Sequence, residues 1–107
     1  MDDLIDRSQQ EKRDKRDKRK RERDLSDIKK LAEMPEFRRF GYRVLSMCGN
    51  YQDAYIPGDP HATSYSCGRK SIGLWVMGEF MIAKPELIIQ MQREHNSEVR
   101  SAQNEEE

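Results

Sequence analysis

The sequence predicts an all-α fold: a small bundle of about four helices with a charged N-terminal arm, helical or disordered. Three observations predict it. From Leu25 onward, apolar residues recur at the three- and four-residue spacing of amphipathic helices. Pro35, Pro60 and Pro85 stand where helices can begin, because a first-turn residue needs no N–H partner within the helix. Residues 7–24, "RSQQEKRDKRDKRKRERD", hold no apolar side chain but are rich in good helix formers.

The arm comes first, over 1–24. Glu11/Lys15, Asp14/Lys18 and Asp17/Arg21 fall at the stabilising i, i+4 spacing, each worth only about 0.3 kcal/mol. Without an apolar face the segment cannot dock by burial. The helical domain, 25–95, opens with Leu25, Ile28, Leu31 and Ala32 on one face of a short helix over 25–33. A second helix, 35–48, lines Phe37, Phe40, Val44, Leu45 and Cys48 along one side, and Gly49-Asn50 is a left-handed stop. After a loop over 50–58, Asp59 caps a helix over 60–83 whose first residue is Pro60. From Ile72 that helix is apolar on almost every side, with Glu79 its only charge, which marks it as the buried centre of the domain. Gly68, Gly73 and Gly78 within it point to close helix–helix approach. A last helix, 85–95, turns Leu87, Ile88 and Met91 inward, and 96–107 is an acidic disordered tail.

Composition excludes some functions. With 20 cations against 20 anions, net charge implies no partner. The local distribution says more: Lys12, Arg13, Lys15, Arg16, Lys18, Arg19, Lys20, Arg21 and Arg23 face only Asp14, Asp17 and Glu22, a local charge of +6. That arm can neutralise nucleic-acid phosphates but has no aromatic residue to stack on bases. No apolar run nears the roughly 20 residues of a membrane span, and the charged N-terminus does not read as a secretory signal. Two cysteines, Cys48 and Cys67, are too few for a disulfide scaffold, so the chain reads as intracellular with reduced thiols. A folding unit of roughly 70 residues buries little of its surface, and association with a partner or with further copies would relieve that deficit.

Catalytic chemistry finds little support. Gly68-Arg69-Lys70-Ser71 resembles part of a phosphate-binding loop, but it lies within a helix, with no preceding strand and no first glycine at the required spacing. Its N–H groups are committed to helical hydrogen bonds. Cys48, Cys67, His61 and His95 contain no CxxC or HxxxH pair to seed a metal site, so no metal and no cofactor is expected. Cys67 and His61, six residues apart, are poorly spaced for a nucleophile–base pair. Glu79 is expected to find an arginine partner, with Arg38, Arg39 and Arg43 as candidates, or to reach solvent. Arg69 and Lys70, held on a helix, are candidates for contact with an acidic protein surface or DNA.

"MPEFRRFGYRVLSMCGNY", "GDPHATSYSCGRKSIGL" and "KPELIIQMQRE", in that order, resemble a family of small tailed-phage proteins typified by an open reading frame of a Bordetella phage. The resemblance runs from about Ile28 to Glu94. It implies a compact helical domain encoded among phage structural and packaging genes, and carries over no catalytic residue. The expectation is a non-enzymatic virion structural or assembly protein, in the virion or the host cytoplasm, that binds a portal, scaffold or capsid component through its helical domain and charged arm. The alternative is a small DNA-associated protein packaged with the genome or assisting its packaging.

Overall fold

Proline and glycine punctuate this chain into four helices: α1 (Asp2–Leu31), α2 (Pro35–Met47), α3 (Pro60–Ala83) and α4 (Leu87–Glu106). The computed structural model describes residues 2–106, so Met1 and Glu107, the ends of the expected arm and tail, lie outside the described residues. Among the described residues there is no strand, and the fold is an all-α small bundle.

α1 runs unbroken across 24/25, where the composition changes from charged to amphipathic. Nothing between Asp2 and Met34 can stop it, since the stretch has no proline or glycine. It ends because Pro35 forces Met34 into an extended conformation, φ −90° and ψ 122°. α2 closes in a Schellman motif: Gly49, at φ 77°, donates to Ser46 O at 3.0 Å and Asn50 donates to Leu45 O at 3.1 Å. The loop then makes a tight turn at Pro57-Gly58, with Asp59 N bonded to Ile56 O at 3.2 Å. Thr63 Oγ1 secures it, accepting from Ile56 N at 2.9 Å and donating to Ile56 O at 3.2 Å. The Asp59 carboxylate caps α3 by accepting from Ala62 N at 3.0 Å, with Pro60 in the first position.

Two boundaries differ from expectation. α4 begins at Leu87, two residues late, because Lys84 is extended (φ −149°, ψ 96°) and Pro85-Glu86 form a turn. It also continues to Glu106, through the segment expected to be a disordered tail. Residues 96–106 lack glycine and proline and include Glu, Gln, Ala and Arg, so nothing local ends the helix.

The core is small. Ala32, Leu45, Phe80, Leu87 and Met91 are buried, with Ile28, Phe37, Val76, Met77 and Ile88 packed against them. The Phe37 and Phe80 rings meet edge to face at 5.7 Å between centroids. Arg38 ties three elements together: its Nε donates to both Glu94 carboxylate oxygens, at 2.9 and 3.1 Å, and its Nη1 to Ala32 O at 2.8 Å. The radius of gyration is 19.9 Å, against about 13 Å for a compact chain of this length, because α1 and α4 project beyond the packed region.

α3 touches all three other helices, so it is central, but it is not buried. Only Gly73 and Phe80 on it are buried. The partner helices pack around the side that carries Phe80, and Ile72, Trp75 and Ile82 on the other side stay mostly exposed. Of its glycines only Gly73 is a point of close approach, and there the neighbour is the Cys48–Asn50 turn, not a helix; Gly68 and Gly78 open onto empty space.

Candidate functional site

The outer half of α3 is the most unusual surface. Ile72 is 62% exposed, Trp75 66% and Ile82 62%, with Leu74 and Met81 about half exposed. At 100° per residue these five side chains span about half the helix circumference, around a strip of Ser71 and Gly78. Together they present on the order of 500 Å² of apolar surface, as large as the main patch of many monomers and typical of an interaction site. Cys67 is exposed on the same side of the helix.

The one charge within that region is neutralised. Glu79 accepts from Arg21 Nη1 at 2.5 Å, so its partner comes from α1 and not from Arg38, Arg39 or Arg43. The hydrogen bond raises the Arg21 pKa above its ordinary value. Arg38 is committed to Glu94, and Arg43 lies over the Phe40 ring at 5.6 Å. Sequence spacing alone could not show this, because Arg21 and Glu79 are 58 residues apart.

The sequence-derived cations divide into two groups. Lys12, Arg13, Lys15, Arg16, Lys18, Arg19, Lys20, Arg21 and Arg23 are all exposed along α1. Arg21 contacts α3, and Arg23 Nη2 lies 3.3 Å from Asp24 Oδ1. None of the expected i, i+4 ion pairs forms among the described residues; Asp14 accepts from Gln10 Nε2 at 3.0 Å instead. Arg69 and Lys70, by contrast, are half-buried against the 49–56 loop. Lys70 Nζ donates to Gln52 O at 2.9 Å, and the Arg69 guanidinium sits 5.6 Å from the Tyr65 ring centroid. Arg69 also lines a 150 Å³ cavity with Gly49, Gln52, Asp53, Ala54, Ile56 and Ser66. Lys70 braces the loop and Arg69 packs beside it, its Nε buried without a hydrogen-bond partner, so the two are not brought to one surface with the arm.

A second groove, about 460 Å³, lies between α2 and α4 and is lined by residues that include Arg39, Phe40, Tyr42, Met91 and His95. Tyr42 is sandwiched there, its ring 4.2 Å from His95 and 5.4 Å from Tyr51 between centroids. Burial, and then the neighbouring Tyr42, push the Tyr51 phenol up from its usual range. His61 is exposed at the start of α3, and Cys48 packs against Gly73. Among the described residues no three His, Cys, Asp or Glu side chains gather at a common point, and no helix is long and apolar enough to cross a membrane.

The exposed face of α3 is the feature that sequence reading missed. Its signal was present: a helix apolar on every side needs neighbours on every side, and two short amphipathic helices with one charged helix cannot surround it. Comparison of the chain with family models, curated proteins and solved structures finds no match.

Proposed function

We propose that this protein is a non-enzymatic component of tailed-phage particle assembly that docks on another virion protein through the outer face of α3. The observation that carries the reading is the exposure of Ile72, Trp75 and Ile82 on a helix whose one charge between Ile72 and Ala83, Glu79, is already paired. Such a face is costly in water and is stabilised by covering it; roughly 25 cal/mol per Å² over some 500 Å² gives a gross gain of order 10 kcal/mol. Association itself costs about 4–15 kcal/mol, so the contact needs further area from residues beside the face. The phage context is supported by the resemblance carried by "MPEFRRFGYRVLSMCGNY" and "KPELIIQMQRE".

The test is incorporation. Phage particles are purified with the native chain and with Trp75→Ser combined with Ile82→Ser, and the chain is quantified by mass spectrometry. Both substituted side chains are exposed, so the variant keeps its fold and native helical circular dichroism. The native chain is expected in particles or assembly intermediates and the variant is expected to be depleted at least tenfold. Equal incorporation, or absence of the native chain from both, contradicts the reading.

A further inference from the structure

Because α1 is one continuous helix, its charges occupy fixed directions. At 100° per residue, Lys12, Arg13, Arg16, Arg19, Lys20 and Arg23 fall within an arc of about 120°. Glu11, Asp14, Asp17, Glu22 and Asp24 all fall outside that arc, interleaved with Lys15, Lys18 and Arg21. The arm is therefore not evenly compensated. It is a helix with one acid-free cationic stripe, about 16 Å long, and a mixed-charge remainder.

All six stripe residues are exposed. The groove where α1 meets α3 is lined from the α1 side by Arg21, Asp24, Asp27 and Ile28; of these Asp27 stands at the stripe's own angle, one turn past Arg23, and marks where the acid-free run ends. Among the described residues only Arg23 of the six has an acidic partner, at 3.3 Å. A duplex carries one charge per about 1.7 Å of axis, so a 16 Å row of cations meets comparable charge density along a nucleic-acid backbone. No aromatic side chain occurs in α1, so it offers no aromatic platform for base stacking.

We propose that this stripe seats the phosphate backbone of a nucleic-acid duplex without reading its sequence. It lies on a different helix from the apolar face, and its test is independent of that face. The full-length chain is titrated onto fluorescently labelled 20-base-pair duplexes, DNA and RNA separately, between 50 and 200 mM salt. Six neutralised phosphates give a log–log slope near −5, so affinity should fall about a thousandfold across that range. The comparison variant exchanges neighbours, Arg16→Asp with Asp17→Arg and Glu22→Arg with Arg23→Glu, which keeps composition and net charge but puts two acids in the stripe. Its net stripe charge of +2 predicts a slope near −2 and only about a tenfold fall. A steep native slope on either duplex, flattened in the variant, supports the proposal, and the tighter duplex names the source of the backbone. Equal slopes and affinities for the two proteins overturn it, since an unstructured polycation would not distinguish the registers. Binding of neither duplex by the native chain at 50 mM salt also overturns it, and leaves the stripe to an acidic protein surface. That measurement on the native chain stands even if the variant misfolds.

Discussion

Replacing Gly73 with alanine tests how the long loop is held against α3. A methyl group built at Gly73 would stand 2.5 Å from Cys48 Cβ and would overlap the Asn50 carboxamide. Asn50 can rotate away, but Cys48 Cβ moves only with the backbone of the Schellman turn. Forcing one extra carbon into a packed site costs about 1–3 kcal/mol. Against this, alanine is favoured over glycine inside a helix by about 1 kcal/mol. The net is a destabilisation of about 1 kcal/mol, within a range of about 0–2, or a Tm lower by roughly 4–8 °C for a domain of this size. Gly68 and Gly78, in the same helix, have nothing within 4 Å of such a methyl. There the helix preference acts alone, and alanine should stabilise by about 0.5–1 kcal/mol. Asn50→Ala supplies a cross-check, because both polar atoms of its side chain are buried without a partner. It should be close to neutral alone and should partly rescue Gly73→Ala, a coupling that only neighbouring residues show. The assay is thermal and urea unfolding followed by circular dichroism. A Tm that rises for Gly73→Ala as it does for Gly78→Ala would refute the close approach.

Asp59→Ala removes the carboxylate that accepts from Ala62 N and should cost about 1 kcal/mol in urea unfolding, while Asp59→Asn should retain most of that stability. Arg38→Ala leaves Glu94 and the Ala32 carbonyl without their charged donor and should cost about 1.5–3 kcal/mol by the same assay. Tyr51 should ionise above the ordinary tyrosine range, visible as a late step when absorbance at alkaline pH is followed. Since its folded-state pKa is raised, its stability contribution is complete below pH about 10 and is lost as pH rises through the folded value.

What was legible in the sequence is what neighbouring residues decide. Asp59-Pro60 and Gly49-Asn50 specify a cap and a stop through local backbone chemistry, and the structure places a cap and a left-handed turn there. The 60–83 helix was readable for the same reason. The extension of α4 past Glu94 was less so, because Asn96 and Ser97 favour turns and caps unless neighbours on both sides continue the helix. Long-range facts were not legible. An apolar circumference on α3 reads as burial only if enough chain exists to cover it, and the loop and short helices here cover one side. Arg69 and Lys70 look like a presented cationic pair until the loop folds back to engage Lys70 through the Gln52 carbonyl. The arm's charge looks half-cancelled when counted along the chain. Once α1 is a single helix, the cations and acids separate by direction.

The docking role proposed for α3 is tested most directly by hydroxyl-radical footprinting of Trp75, the chain's only tryptophan, in the free protein and in purified phage particles. Trp75 is 66% exposed in the isolated chain and should oxidise rapidly there. In particles its oxidation should fall at least fivefold, along with that of Met81 on the same face, while exposed Met47 at the end of α2 stays reactive. Oxidation of Trp75 at the same rate in both states would contradict the account.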